Sequence, residues 1–193
     1  SLDISQGETK IILGPSGVGK STILRAILGL LRPKSGKIYI HGRDITGLRE
    51  SELVKIRLRM AMVFQQGALF DSMTVGENVS YRLREFNLFD PVKIESRVQE
   101  VLQFVGLQGA KKLKPSQLSG GMKKRVAIAR ALAPDPEIFL FDEPTVGLDP
   151  LNWYNVEHLI MKLKERQDRT LVIVTHDVES AFRLADSIVM LHN

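Results

Sequence analysis

Apolar residues fall along this chain in two rhythms. Short unbroken runs alternate with stretches where they return every three or four positions, and each rhythm predicts a different element. The run "KIIL" at 10–13 predicts a buried strand that stops at Gly14. "TILRAILGLL" follows, and its Ile23, Ile27 and Leu30 recur at helical spacing. Further on, "EIFLFDEP" from 137 predicts a second buried strand ending in two acids and a proline. Val156, Leu159, Ile160 and Leu163 mark an amphipathic helix, and "TLVIVTH" at 170–176 a third strand. Val178, Ala181, Phe182 and Ala185 make one more helical face, and "SIVML" at 187–191 one more strand. Strands alternating with helices specify an α/β fold with a mostly parallel core sheet covered on both faces.

Between about 67 and 133 the strand rhythm is missing. Ile94, Val98, Val101, Leu102 and Val105 repeat at helical spacing and no long apolar strand interrupts them. This segment reads as a helical subdomain inserted into an α/β core made of 1–66 and 134–193. The whole chain of 193 residues suits one domain. Both ends look cut, because the first strand begins almost at residue 1 and the last residues follow directly on a strand.

Composition narrows the function classes. Hydrophobic residues make up 44% and charged residues 25%, the balance of an ordinary globular protein rather than a disordered one. The absence of cysteine excludes a disulfide scaffold and any cysteine-based zinc site. No apolar run approaches the ~20 residues of a membrane-spanning helix. The net charge of +5 is spread along the sequence rather than gathered in a tail, which favours a solvated surface over a nucleic-acid stripe.

The chemistry starts where the first strand meets the first helix. Gly14, Pro15, Ser16, Gly17, Val18, Gly19, Lys20 and Ser21 spell the G-x-x-x-x-G-K-[S/T] phosphate loop in its required strand-to-helix context. Glycines let backbone N–H groups cradle a β-phosphate, Lys20 reaches the β and γ oxygens, Ser21 can ligate Mg²⁺, and Thr22 assists at the α-phosphate. Asp142 ends an apolar strand where it can hold Mg²⁺ through its water shell, and Glu143 follows where it can polarise an attacking water. His176 closes another strand and could contact the γ-phosphate. His41, His158 and His192 lack such a context and read as surface residues.

A second glycine motif, "LSGGM" at 118–122, opens onto a basic, helix-like run. Taken in order, "GPSGVGKS", Gln65 in "MVFQQ", "LSGGM", "FLFDEP", "GLDP" and "VTHD" resemble the nucleotide-binding domain of an ABC (ATP-binding cassette) protein, a P-loop NTPase, over essentially the whole chain. The resemblance implies ATP and Mg²⁺ as ligands. Gln65 would ligate Mg²⁺ and join the core to the helical subdomain. Asp149 would bridge two subunits, and His176 would be the switch histidine. It also implies a head-to-tail homodimer with ATP sandwiched, in which Ser119, Gly120 and Gly121 cover the ATP held by the partner. Catalysis would then rest on Lys20, Gln65, Glu143 and His176. Met122 departs from the usual glutamine, and the family's adenine-stacking aromatic would lie upstream of residue 1.

The short distance from Gln65 to the signature leaves no room for the long coiled coils of DNA-repair relatives, so a transporter subunit is favoured. "GALFDSMTV" after Gln65, together with Met122, is similar to the ATPases of MCE-associated (Mla-type) phospholipid transporters. That likeness implies an integral-membrane permease, docked on Ala68, Leu69, Phe70 and Met73. It also implies an MCE-domain lipid-binding partner, no nucleic acid, and peripheral attachment to the cytoplasmic face of an inner or plasma membrane, or the stromal face of a plastid envelope. An ATPase of an importer for amino acids or other small solutes, and a soluble non-transport ABC ATPase, stay open as alternatives.

Overall fold

The apolar runs become parallel strands in the computed structural model, which describes residues 1–166 and 168–192. In chain order, β1 (Thr9–Leu13) leads through a glycine-rich turn into α1 (Lys20–Ile27). A short antiparallel hairpin of β2 (Tyr39–Ile40) and β3 (Arg43–Asp44) precedes α2 (Glu50–Arg57) and β4 (Met60–Val63). Three helices follow, α3 (Val75–Glu85), α4 (Pro91–Phe104) and α5 (Gly120–Leu132), with single 3-10 turns at Gln108–Ala110 and Pro115–Gln117 between the last two. The chain then alternates β5 (Ile138–Asp142), α6 (Pro150–Lys164), β6 (Thr170–Thr175), α7 (Val178–Leu184) and β7 (Ser187–Met190).

The main sheet runs β4-β5-β6-β1-β7 with every pairing parallel. Residues one apart on a strand serve opposite faces. Ile11, Phe139, Phe141, Leu171 and Ile173 enter the larger core, on the side of the helices from α3 to α7. Ile12, Ile138, Leu140, Val172 and Val174 enter the smaller one, roofed by Leu24 and Leu28. All of β5 and β6 is therefore buried, as central strands of a two-sided sheet should be.

Two apolar faces expected from the sequence differ in the structure. Leu30 is not on α1, which ends at Ile27 because Gly29 adopts φ 67°; Gly29 and Leu30 donate to the carbonyls of Ala26 and Arg25, both at 2.9 Å, closing the helix. On α7 the inward residues are Ser180, Ala181 and Leu184, while Val178 and Phe182 are exposed, Phe182 by 74%. The spacing in that stretch fits a helical face, but of its four residues only Ala181 and, partly, Ala185 pack on the core. Ile94, Val98, Val101, Leu102 and Val105 all pack inward. Strand β4 is only four residues long and sits directly before Gln65, so its pattern is too brief to announce a strand.

Candidate active site

A parallel sheet delivers the carboxyl ends of its strands to one edge, and four segments that bear chemistry meet there. They are the turn after β1, the segment after β4, the end of β5 and the end of β6. Together they line an open cleft of about 330 Å³, with Ser16, Gly17, Gly19, Lys20, Ser21, Thr22, Gln65, Glu143 and His176 on its walls.

The turn after β1 is shaped by glycine. Gly17 and Gly19 hold φ 84° and 104°, left-handed values that other residues resist. No side chain caps α1, so its first-turn amides are left for an anion, and the helix dipole adds to their pull. Gly14 lies so close to the Leu191 carbonyl that a Cβ there would sit 2.6 Å away. Lys20 is buried and fully engaged: its ammonium donates to the carbonyls of Gly14 at 2.8 Å and Pro15 at 3.0 Å, and pairs with Glu143 Oε1 at 3.2 Å.

Ser21 donates its hydroxyl to Asp142 Oδ1 at 2.7 Å. With the Gln65 side chain on the same cleft, these are hard oxygen donors around one carboxylate. That set fits Mg²⁺, which keeps waters and takes phosphate oxygens for the rest. Among the described residues there is no group of three or more His, Cys, Asp or Glu that could hold a metal ion.

Glu143 is the most constrained residue of the site. It has φ 46°, a left-handed conformation that costs on the order of 1–3 kcal/mol for a non-glycine residue. Its amide donates to Val174 at 3.0 Å, and its carboxylate accepts from the His176 amide at 3.3 Å and meets His176 Nδ1 at 3.0 Å. His176 keeps Nε2 as the ring atom available to a phosphate oxygen. Asp177, just beyond, caps α7 and accepts from Trp153 Nε1 at 3.3 Å. Burial pushes its carboxyl up, but hydrogen bonds from Ser180, Trp153 and Glu179 hold it below the usual carboxylate range.

The remaining candidates lie elsewhere. Ser119 is the N-cap of α5, its hydroxyl accepting from Met122 N at 3.2 Å, and Ser119 and Gly120 are exposed. None of Ser119, Gly120 and Gly121 is on the wall of the cleft. Asp149 caps α6 and accepts from Asn152 Nδ2 at 2.6 Å; these Asn152 hydrogen bonds hold its carboxyl below the ordinary value. Asn152 also backs Gly121, where any Cβ would overlap its side chain. The signature glycine and the Asp149 turn are thus in contact through Asn152.

Sequence reasoning missed several supporting residues. Asn152 has no pattern that announces it. Asn78 is buried on α3 and folds the loop ahead of it, accepting from Phe70 N at 2.8 Å and donating to the carbonyls of Phe70, Thr74 and Met73. The Thr74-x-x-Glu77 capping box at that helix start was readable from the spacing. Within the same loop Ala68 and Phe70 are exposed, whereas Leu69 packs against the core.

A family profile described as ABC transporter matches residues 1–146. The chain belongs to the ABC transporter family. This cassette is 46% identical over 99% of its length to the "Probable ribonucleotide transport ATP-binding protein mkl" of Mycobacterium leprae, of which it spans 55%. It is 45% identical over 96% of its length to the "Intermembrane phospholipid transport system ATP-binding protein MlaF" of Escherichia coli K12, spanning 69% of that protein. Among solved structures, an ATP-binding cassette, MJ0796, in a dimeric post-hydrolysis state bound to ADP and Pi superposes with a TM-score of 0.89. That match is 40% identical and covers 98% of this chain and 83% of the other. The α/β fold with a parallel core sheet is the fold of that cassette.

Proposed function

We propose that this chain is the ATP-binding and hydrolysing cassette of a membrane transporter whose cargo is phospholipid. The convergence of Lys20, Ser21, Asp142, Gln65, Glu143 and His176 at the carboxyl edge of one sheet carries the hydrolytic reading. ATP lies with its phosphates on the amides of α1 and on Lys20. Ser21, Gln65 and Asp142 would hold Mg²⁺, which would supply charge neutralisation for the phosphates when bound. Glu143 orients a water in line with the γ-phosphorus and accepts its proton. The bond to the ADP oxygen breaks, and ADP and inorganic phosphate are the products. His176 supports the Glu143 carboxylate and offers Nε2 to the γ-phosphate.

Ser119 to Gly121 lie on an exposed helix start off this cleft, so they serve the nucleotide of a second copy packed head to tail, with Asp149 at the junction. MJ0796 supports that reading as a dimeric cassette of the same fold. Among the described residues no helix is long and apolar enough to cross a membrane, so a permease supplies the membrane path. The loop after Gln65 docks that partner, with exposed Ala68 and Phe70 and half-buried Met73 as its contacts, while Leu69 packs against the core. An MCE-domain protein completes the assembly on the lipid side.

Two measurements on the full-length protein test these parts separately. Glu143→Gln should lower ATP hydrolysis by about 10²–10⁴-fold, the range for loss of a general base, while trapping an ATP-bound dimer in size-exclusion chromatography. A variant that stays monomeric with ATP and Mg²⁺ removes the sandwich. For the cargo, the protein is purified with its membrane partners and the small molecules that co-purify are identified by mass spectrometry. Phospholipid enrichment is expected; enrichment of ribonucleotides instead favours the activity in the name of mkl.

A further inference from the structure

Helix α5 touches the site at a second place, one turn beyond the signature. Lys124 is 5% exposed, an unusual setting for a lysine. Its ammonium donates to the backbone carbonyl of Gln65 and reaches the carbonyl of Glu143 at 3.4 Å. Glu143 is the residue held at φ 46°. Among the described residues its carbonyl otherwise accepts a long bond from Val146 N, 3.4 Å. Burial lowers the lysine's affinity for its proton, while the charges of Asp142 and Glu143 raise it.

The same helix holds the following residues as well. Arg130 donates to the carbonyls of Gly67 at 2.8 Å and Ala68 at 2.7 Å and lies over the Phe70 ring. Two cations of α5 therefore grip the backbone from Gln65 to Ala68, but only Lys124 also touches Glu143. Removing the amine from this position takes a donor from the Gln65 carbonyl and leaves the Glu143 carbonyl with only its long bond from Val146 N.

We propose that Lys124 is a positioning residue for ATP hydrolysis, tying the signature helix to the backbones of Gln65 and Glu143 so that both side chains are presented together. The proposal rests on the hydrolytic reading given above. It makes α5 a rigid connection between the signature, which serves the partner's nucleotide, and the water-activating carboxylate of its own chain. Lys124 touches neither substrate nor metal, and acts through the residues that do.

The test compares wild type, Lys124→Met and Lys124→Gln as full-length protein with its membrane partners, measuring kcat and KM for ATP with Mg²⁺. Met keeps the apolar stem and ends one atom short of the ammonium, without a donor; Gln places a neutral donor at about that same reach. Lys124→Met should lower kcat at least tenfold with KM within twofold, and Lys124→Gln should return kcat to within threefold of wild type. The inference is overturned if Lys124→Met keeps kcat within threefold, if its loss comes through a raised KM, or if Lys124→Gln recovers nothing. A wild-type protein that does not hydrolyse ATP defeats the hydrolytic reading instead, independently of the variants.

Discussion

Helices α1 and α5 both begin at glycine-rich turns, yet their first turns are finished differently. Gly19 starts α1 at φ 104° with no side chain on the amides, and the ammonium of Lys20, the hydroxyl of Ser21 and the acids Asp142 and Glu143 crowd around it. Ser119 starts α5 in an extended conformation and caps the helix with its own hydroxyl, and a Cβ on Gly120 would meet no atom within 4 Å. On the proposed reading the first carries the phosphate loop, the metal ligands and the base within one chain, and lacks only the cover that a second copy brings. On the same reading the second is half a site: Ser119 caps the helix itself, and the open space over Gly120 leaves that side to another molecule.

That contrast can be broken most sharply at Lys20. Lys20→Ala removes the cation from the complete site and should lower kcat/KM for ATP by roughly 100-fold or more, the scale on which preorganised donors act. Steady-state hydrolysis and fluorescent-nucleotide binding should fall together, since this loop binds as well as reacts.

Gly121→Ala should act almost as strongly on turnover and hardly at all on binding by its own loop. The new methyl would overlap the Asn152 side chain, so Asn152 or α5 must shift, at a cost of about 1–3 kcal/mol in a thermal or urea denaturation. Mixing Lys20→Ala with Gly121→Ala chains should yield more hydrolysis than either alone, because a mixed dimer regains one site with both halves intact. No recovery on mixing would mean that the two loops do not serve each other across an interface.

Ser119→Ala is gentler. It deletes one cap, worth about 1 kcal/mol, and one hydroxyl at the half site, so the denaturation midpoint should drop slightly and turnover by about tenfold. Smallest of all is an effect remote from both loops. Burial pushes the Glu8 carboxyl up, but Lys10, the Ser187 hydroxyl and the Ser5 amide outweigh it and hold the group at about 2, against an ordinary 4.5. A depressed carboxyl stabilises the fold above the unfolded value and loses that contribution as pH falls from about 4.5 toward 2. Glu8→Gln should flatten the pH dependence of the urea midpoint in that window and lower the midpoint slightly near neutrality, where the contribution is fully present.

Much of the fold was legible because the central strands are continuous apolar runs and the motif segments follow them directly. The phosphate loop, the acids after β5 and the histidine after β6 could be read in order, and a parallel sheet then leaves one edge for them to meet. Three motif residues, Ser119, Asp149 and Asp177, also cap helices, so their positions serve local structure as well. What could not be read depends on tertiary approach. Phe182 has a helical spacing but no partner surface, Leu69 sits among exposed neighbours yet turns inward, and Lys124 looks like any basic residue on a helix until the Gln65 carbonyl is found beside it. Asn152 belongs to the same group, since its contact with Gly121 joins residues far apart in the chain.

The ion pair between Lys20 and Glu143 has a consequence for timing. A γ-phosphate and a carboxylate both seek the same three-proton ammonium, which already spends two protons on the Gly14 and Pro15 carbonyls. On the proposed hydrolytic reading, arrival of the substrate would displace Glu143 from its counter-ion and unmask the carboxylate only when there is something to attack. The lysine would then work as an interlock whose key is the molecule to be cleaved.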